Sequence, residues 1–384
     1  MAFSRRFSKR GAVDPFIVMD VMEAARAREA SGRDVIHMEV GQPGTPAPRA
    51  ALAAAAQAMA AGGLGYTVAL GLPALRERIA RLYREWYGIS VPAERVVVTS
   101  GSSAAFLLTF LALFDAGDRV ATVAPGYPSY RNILSALDIQ AVEMPGAAAR
   151  GWRPGPEDVA AAGPLAGLLV ASPANPTGAM LDRAALAALA AAARRAGAAF
   201  ISDEIYHGLT YGARAVSALE VDDDAIVINS FSKYFSMTGW RIGWMVVPEA
   251  MVRPVERLAQ NFFICPPHIS QVAALAALDA GEEAEANLAV YARNREILLE
   301  ELPKAGFDRL APCEGAFYLY AETDHLAADS REFTARMLAE AGVAATPGLD
   351  FDPARGAGTV RFSFAGPEAA MVEGAARLRK WLRA

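Results

Sequence analysis

The pattern of apolar and polar positions changes its period several times along the chain. Between residues 95 and 246, short apolar runs alternate with longer segments in which apolar residues recur at helical spacing. The short runs are typical of strands, and the longer segments are typical of helices that pack on a sheet. The predicted strands cover residues 95–99, 119–123, 141–144, 166–170, 199–202, 225–229 and 242–246. Because these strands are nearly continuously apolar, we predict an α/β fold with a mostly parallel sheet covered on both faces.

The two ends of the chain show a different pattern. Near the N-terminus we predict a helix over residues 14–30, with Asp14 as its cap and Pro15 in its first turn, and then a short strand over 35–40. Beyond residue 307, two or three strands and two helices give an α+β pattern. Further helices are predicted over residues 49–61, 72–86, 103–114, 127–136, 183–196, 248–260, 269–280 and 282–302. The last of these is long enough to connect the α/β part to a second, smaller module.

Composition excludes several classes of function. The chain has 384 residues, 53% of them hydrophobic, and a formal net charge of −5, so nothing favours binding to nucleic acid. The two cysteines, Cys265 and Cys313, are far apart and give neither a disulfide framework nor zinc spacing, and the four histidines form no metal-ligand motif. The basic N-terminus leads into no apolar segment, and no apolar run is long enough to cross a membrane. We expect a cytoplasmic protein without bound metal.

Lys233 carries the most specific candidate chemistry. It follows a predicted strand within the segment Ser230-Phe231-Ser232-Lys233, so its amine is placed where a ligand can meet it. Lysine amines form Schiff bases with carbonyl ligands, including pyridoxal 5'-phosphate (PLP). Arg241, a little further along the chain, is a fixed cation suited to a phosphate group. A solvated surface lysine is the alternative, and the motifs that accompany Lys233 argue against it.

Other segments could bind the remaining parts of such a cofactor. Gly101, Ser102 and Ser103 follow a strand and open a helix, and backbone N–H groups at a helix N-terminus bind phosphate. Tyr127 comes after the next strand and could stack on a pyridine ring. The alternatives are an ordinary turn with a helix cap for the first segment and a core aromatic residue for Tyr127.

Polar residues also follow the predicted strands over 166–170 and 199–202. Asn175, in an Asn-Pro-Thr-Gly segment, could donate to the cofactor's phenolic oxygen, as could Tyr206. Asp203 ends an apolar strand, where ligands of α/β sheets bind, and a carboxylate there would keep a pyridine nitrogen protonated. A turn and a helix cap are the respective alternatives for Asn175 and Asp203. Arg361, in an alternating segment near the C-terminus, is either a planar fork for a carboxylate or an exposed strand residue.

Taken in order, these residues resemble the fold type I PLP-dependent enzymes of the aspartate aminotransferase class, the class I/II aminotransferases. The matching positions are Gly101-Ser102, Tyr127, Asn175-Pro176-Thr177-Gly178, Asp203 with Tyr206, Ser230 and Ser232 with Lys233, Arg241, and Arg361. The resemblance extends from the loop at Gly41 to the C-terminal strand, and the order and separation of its motifs are specific. It implies a large domain over 48–285 with a seven-stranded sheet, a small domain made from 1–47 and 286–384, and a homodimer with shared active sites.

The resemblance also implies roles for individual residues. Lys233 would hold PLP as a Schiff base and shuttle the proton, with Asp203 and Tyr206 as further catalytic groups. The cofactor would be bound by Gly101, Ser102, Ser103, Tyr127, Asn175, Asp203, Tyr206, Ser230, Ser232, Lys233 and Arg241, and by Tyr66 reaching the phosphate of the partner subunit. Arg361 would grip the substrate α-carboxylate, and Gly41 and Asn175 would also contact the substrate.

Two departures from the family pattern concern the substrate. The usual Gly-Glu-Pro-Asp loop is replaced by Gly41-Gln42-Pro43-Gly44, and Gln260 stands where some dicarboxylate-specific members carry an arginine. We therefore expect a ping-pong aminotransferase acting on L-amino acids and 2-oxo acids, which accepts neutral or aromatic amino acids at least as well as aspartate. The alternative is a PLP-dependent β-lyase that cleaves carbon–sulfur bonds. A transcription regulator with this fold is disfavoured, because the segment before the cofactor domain is too short for a winged helix.

Overall fold

A computed structural model describes residues 7–383 of the chain. Residues 1–6 and 384, which fall in the predicted small domain, lie outside the described residues. The strands are β1 Ile36–His37, β2 Val96–Thr99, β3 Arg119–Ala124, β4 Gln140–Pro145, β5 Gly167–Ala171, β6 Ala199–Asp203, β7 Ile226–Ser230, β8 Gly243–Val246, β9 Tyr318–Glu322, β10 Val343–Ala344, β11 Thr346–Pro347 and β12 Thr359–Ser363. The helices are α1 Ile17–Ala30, α2 Arg49–Ala61, α3 Pro73–Tyr87, α4 Ser102–Leu113, α5 Ser129–Ala136, α6 Pro156–Ala161, α7 Arg183–Arg195, α8 Glu249–Phe262, α9 His268–Ala277, α10 Gly281–Lys304, α11 Ser330–Arg336 and α12 Glu368–Leu382.

The largest sheet contains seven strands in the order β2-β8-β7-β6-β5-β3-β4. The pairs β3–β4, β3–β5, β5–β6 and β6–β7 are parallel, whereas β8 is antiparallel to both β2 and β7. Every residue of β2, β7 and β8 is buried, which is why these segments are nearly continuously apolar in the sequence. The predicted mostly parallel, seven-stranded sheet is confirmed.

Helices cover both faces of this sheet. Neighbouring residues on a strand point to opposite faces, so they enter different cores. On β5, for example, Leu168 and Val170 belong to one hydrophobic cluster and Leu169 belongs to the other. Because both faces are closed by packing, the strand ends are the part of the sheet that can present side chains to a ligand.

The two ends of the chain meet in a second unit beside the sheet. β1 pairs in parallel with β10, although more than 300 residues separate them, and β11, β12 and β9 form an antiparallel three-stranded sheet. The 24-residue helix α10 packs along α12. The smaller α+β unit formed by both chain ends is therefore confirmed.

Three details of the prediction are corrected. The first helix begins at Ile17 rather than at residue 14, and Asp14 does not cap it: the N–H of Ile17 donates to Oδ1 of Asp350, 3.0 Å away. The predicted strand over 35–40 is reduced to Ile36–His37, because only these residues pair with β10. The short helix α6 was not predicted. Among residues 7–383, no helix combines the length and the apolar character needed to span a membrane.

Candidate active site

A cleft of about 890 Å³ opens where β5, β6 and β7 end, between the large sheet and the unit formed by the chain ends. Most of the predicted site residues line this cleft. They are Gly41, Ser102, Ser103, Tyr127, Asn175, Asp203, Tyr206, Ser232, Lys233, Arg241 and Arg361. Parallel strands bring their carboxyl ends to one edge of a sheet, which explains why residues so far apart in the sequence meet here.

Lys233 lies just beyond the end of β7. Its Nζ donates a hydrogen bond to the carbonyl oxygen of Gly41, 2.6 Å away. Desolvation in the cleft, followed by the positive charges of Arg361 and Arg241, lowers the pKa of Lys233 to about 7, although Asp203 acts in the opposite direction. A substantial fraction of this amine is therefore neutral near pH 7, and a neutral amine is a nucleophile.

Gly41 is required by close packing as well as by its carbonyl group. A Cβ atom at this position would lie 1.8 Å from the hydroxyl oxygen of Tyr318, so no other residue fits without moving that ring. The same hydroxyl is 2.7 Å from the hydroxyl of Tyr206. The missing side chain at Gly41 thus makes room for a pair of tyrosines beside Lys233.

Asp203 ends β6 and is only 3% exposed. Its Oδ1 accepts from the backbone N–H of Ile205 at 3.1 Å, and the hydroxyl of Tyr130 donates to its Oδ2. Burial raises the pKa of Asp203 to about 6, while the hydrogen bonds from Tyr130 and Ile205 and the charge of Lys233 lower it. A cationic ring N–H would satisfy this desolvated carboxylate, so the residue fits a protonated pyridine nitrogen.

The start of α4 and Arg241 form one end of the site. Gly101 precedes the helix with φ 79°, and a Cβ there would lie 2.6 Å from Nη2 of Arg241. Glycine therefore lets the guanidinium approach the helix N-terminus, where Ser102 and Ser103 line the cleft. Arg241 is itself in the left-handed region, at φ 51°, and donates to the carbonyl of Thr238 at 2.9 Å. Helix N–H groups, two hydroxyls and a guanidinium suit a phosphate dianion.

Ser230 lies behind the lining of the cleft rather than in it. Its hydroxyl is buried, 2.9 Å from the hydroxyl of Ser232 and 3.2 Å from the carbonyl of Ile242. The structure therefore places Ser232 at the cleft and Ser230 in support of it.

Tyr127 and Asn175 border the middle of the cleft. The ring of Tyr127 makes edge contacts with Phe16 and Tyr130, at centroid distances of 5.7 and 5.4 Å. Oδ1 of Asn175 accepts from Nη1 of Arg361 at 2.9 Å, which leaves the Asn175 amide N–H groups as donors. An aromatic ring held by its edges and a fixed amide donor suit a flat heterocycle with a phenolic oxygen.

Arg361 is buried, at 3% exposed, rather than on the surface of its strand. Besides Asn175, its guanidinium donates to the backbone carbonyl of Glu39, and it lies over the rings of Tyr318 and Phe351, at 4.2 and 4.6 Å from their centroids. Within residues 7–383, Arg361 forms no ion pair with an acidic side chain. A buried, oriented and uncompensated guanidinium is well suited to bind a carboxylate.

Several residues of the cleft were missed by the sequence analysis. Tyr130 could have been found, because it follows Tyr127 by one helical turn. Tyr318 and Asp350 gave no signal, since their roles depend on contacts made by distant segments. The N-terminal segment also contributes a wall of apolar side chains: Phe16, Val18 and Met19.

Tyr66 is a predicted site residue that lies away from the cleft of its own chain. Its side chain is 82% exposed on the loop between α2 and α3. Other exposed apolar residues are Leu64 and Val68 on this loop, Phe262 at the end of α8, and Ile264 just after it. The two segments are in contact, since the N–H of Thr67 donates to Sγ of Cys265, 3.4 Å away.

Comparison with known proteins decides the family. The family model described as "Aminotransferase class I and II" matches residues 33–378. The chain belongs to this family. The enzyme is 49% identical to valine–pyruvate aminotransferase of Mycobacterium tuberculosis, over 98% of each chain. It resembles the crystal structure of a candidate aminotransferase from Silicibacter pomeroyi, with a TM-score of 0.94 and 61% identity over 99% of this chain and 100% of the other.

More distant relatives agree on the reaction. The structure of aspartate aminotransferase from Thermus thermophilus with maleate gives a TM-score of 0.92 at 33% identity, over 98% of this chain and 99% of that one. The predicted activity is thereby confirmed: the protein is an aminotransferase of a PLP-dependent family, and the β-lyase alternative is not favoured.

Proposed function

We propose that the enzyme binds PLP in this cleft and transfers amino groups from neutral L-amino acids to pyruvate. The observation that carries the proposal is the convergence of Lys233, Asp203 and Arg361 around one cleft. These residues supply an amine with a lowered pKa, a buried carboxylate and an uncompensated guanidinium. The fit to PLP is further supported by the glycine that admits Arg241 to the N-terminus of α4.

The substrate class is supported by the composition of the cleft. Of the residues that line it, three are cationic: Lys233, Arg241 at the phosphate end, and Arg361, which would bind the α-carboxylate. No further cation of the described chain lines the cleft to bind a second carboxylate. The apolar side chains of Phe16, Val18 and Met19 form a wall suited to an apolar substituent, and the Mycobacterium tuberculosis relative is named for valine and pyruvate.

In the proposed mechanism, each residue acts on a defined atom. When bound, PLP supplies an aldehyde that reacts with amines and a ring that withdraws electrons from the substrate. Ser102, Ser103, Ser232 and Arg241 would bind its phosphate, and Asp203 would hold a proton on its ring nitrogen. The Asn175 amide and the Tyr206 hydroxyl would donate to its phenolic oxygen.

Lys233 and Arg361 act on the substrate. Arg361 would grip the α-carboxylate with its fork and so direct the Cα–H bond toward Nζ of Lys233. Lys233 Nζ would anchor the cofactor at rest, and as general base and acid it would then take the proton from the substrate Cα and deliver it to the carbon that was the aldehyde carbon of PLP. An amino acid and a 2-oxo acid would use the same groups in turn, which gives ping-pong kinetics.

We also propose a cytoplasmic homodimer in which Tyr66 reaches the cofactor phosphate of the partner subunit. The support is that Leu64, Tyr66, Val68, Phe262 and Ile264 are all exposed on two segments that contact each other, since exposed apolar patches mark interaction surfaces. The domain boundaries 1–47, 48–285 and 286–384 belong to the same proposal. Gln260, which replaces the arginine of some dicarboxylate-specific members, is not among the residues that line the cleft.

The test is an amino-donor panel on the purified enzyme with PLP and pyruvate, with alanine formation as the measurement. We expect valine and other neutral amino acids to react at least as well as aspartate. A thousandfold preference for aspartate, about 4 kcal/mol, would contradict the proposed substrate class. Release of pyruvate and ammonia from cysteine-like substrates, without a 2-oxo acid acceptor, would contradict transamination as the main reaction.

A further inference from the structure

A buried histidine lies behind the cleft and has no role in the mechanism above. His207 is 2% exposed and follows Tyr206 in the turn after β6. Its Nε2 is 2.9 Å from the carbonyl oxygen of Ser172, and its Nδ1 is 2.6 Å from the hydroxyl of Tyr87. Because a carbonyl oxygen can only accept, Nε2 carries the proton and donates to Ser172. In a neutral imidazole Nδ1 must then accept, so the Tyr87 hydroxyl donates to it.

The charges around His207 agree with these directions. Burial lowers the pKa of His207 to about 3, so the ring is neutral, and burial raises the pKa of Tyr87 well above its usual value, so the hydroxyl keeps its proton. Glu204 Oε2 lies 3.5 Å from His207 Nδ1 and has no hydrogen-bond partner among residues 7–383, whereas Oε1 accepts from Ser217, Ser202 and the N–H of Ala218. Burial raises the pKa of Glu204 to about 8, which disfavours a carboxylate charge beside the neutral ring.

His207 connects two loops that carry groups of the cleft. Ser172 begins the loop after β5, which brings Asn175 to the cleft, where it accepts from Arg361. His207 itself belongs to the turn after β6, which carries Tyr206. At the base of the two loops, the N–H of Ser172 donates to the carbonyl of Asp203 at 3.1 Å. The bond from His207 to the carbonyl of Ser172 joins the first loop to the turn four residues after Asp203.

We infer that His207 is a positioning residue, which sets the separation of the Asn175 loop from the Tyr206 turn and thereby the orientation of Asn175 and Arg361. The inference rests on the proposed function, because Asn175 and Tyr206 would meet the cofactor's phenolic oxygen and Arg361 the substrate carboxylate. Tyr87 holds the imidazole in the tautomer that this contact needs. Displacing such groups by a fraction of an ångström is enough to weaken binding and turnover.

The experiment compares variants of His207 that keep different atoms. Gln places an amide N–H near the position of Nε2 and keeps the donor to Ser172; Asn is too short to reach it; Phe keeps the ring volume and removes both hydrogen bonds. His325→Phe is the matched control, because His325 Nε2 is also 2.9 Å from a backbone carbonyl, that of Gly306, outside the cleft lining.

Three measurements are made on each variant: the dissociation constant of PLP from the apoenzyme, the pH at which the absorbance of bound PLP changes, and the KM and kcat for valine. We expect His207→Phe and His207→Asn to raise KM about tenfold, to raise the PLP dissociation constant and to shift the absorbance titration. His207→Gln should stay within about threefold of the wild type, and Tyr87→Phe should fall between Gln and Phe.

Specific results would overturn the inference. One is a folded His207→Phe variant with the KM and absorbance titration of the wild type; another is an equal change in His325→Phe. If His207→Phe does not fold, the Gln and Asn variants decide, and identical behaviour of these two would also overturn it. Wild-type protein that transaminates no neutral amino acid would contradict the proposed function instead, while the PLP dissociation constants would still test His207.

Discussion

The two sides of the cleft differ in chemistry and in origin. On the sheet side, Asp203 ends β6 and Lys233 follows the adjacent strand β7. Asp203 accepts from the nearby N–H of Ile205, whereas Lys233 donates across the cleft to the carbonyl of Gly41. On the chain-end side, α1 contributes apolar side chains, and its first N–H is bound by Asp350, which lies 333 residues further along the chain. The comparison suggests that the sheet side performs the reaction and that the chain-end side selects the substrate. Arg361 comes from the chain-end side, but by binding the α-carboxylate it would also orient the substrate for the reaction.

The largest effect is expected on the sheet side, at Lys233. Lys233→Ala should lower kcat by roughly 10⁴-fold or more, because it removes both the covalent anchor of PLP and the proton shuttle. Borohydride reduction followed by mass spectrometry should find no covalently bound cofactor in the variant. Lys380→Ala, at an exposed position on α12, is the control. Covalently bound cofactor in Lys233→Ala would show that a different amine forms the Schiff base with PLP.

The next largest effect is expected at Asp203. Asp203→Asn keeps the shape of the side chain and removes its charge, so the variant should still bind PLP but lose roughly 10²–10³-fold in kcat. Single-turnover absorbance changes with valine measure this loss, with the exposed Asp308→Asn as control. A rate near that of the wild type would mean that the Asp203 carboxylate does not stabilise the charge that develops in the ring.

A variant of Arg361 tests whether reaction and substrate selection belong to separate sides of the cleft. Arg361→Lys should lower kcat/KM by about 10- to 100-fold for every amino acid alike, because a point charge cannot replace the bidentate fork. The kcat/KM values for alanine, valine and phenylalanine measure the effect, and Arg309→Lys, at an exposed ion pair, is the control. A loss that depends strongly on the substrate side chain would place Arg361 among the selecting residues.

The pH dependence of cofactor capture tests the environment of Lys233. The pKa of Lys233 is lowered to about 7, so the neutral amine prevails above pH 7 and is protonated below it. The rate at which apoenzyme captures PLP, followed by absorbance, should fall about tenfold per pH unit below 7 and level off above it. A rate that keeps rising up to pH 10 would indicate an ordinary, solvated lysine.

The smallest effect is expected on the chain-end side. Asp350→Ala removes the acceptor for the first N–H of α1, and the loss of such a helix cap costs about 1 kcal/mol. KM for valine should therefore rise about fivefold, with a smaller change for alanine and unchanged retention of PLP. Asp329→Ala, which removes the cap of α11, is the matched control. Loss of PLP from Asp350→Ala would contradict the division of the cleft into two sides.

The same division explains what the sequence predicted. Strands, glycines and polar residues of the sheet side are local features, so the sequence alone predicts the motifs around Gly101, Asn175, Asp203 and Lys233, and these lie at or directly behind the cleft. Arg361 was also found, but the sequence could not show that it is buried. Burial depends on neighbours from other parts of the chain.

The missed features depend on such long-range contacts. Asp350 was missed because its partner, the first N–H of α1, is on the far end of the chain, and Asp14 offered a local cap in its place. Tyr318 was missed because its importance comes from the space left by Gly41. Tyr130 is different: its one-turn spacing from Tyr127 was visible, and only its contact with Asp203 was not.

The pairing of the chain ends also has a consequence for the order of events during synthesis on the ribosome. Strands β2 to β8 are complete once residue 246 has been made, whereas β10 and β12 come from the last part of the chain. A growing chain can therefore assemble the large sheet while α1 still lacks Asp350, and β1 still lacks its partner strand. One side of the cleft is then completed only after Asp350 and β12 have been made, and α1 and β1 reach their final contacts with residues that are synthesised more than 300 positions later.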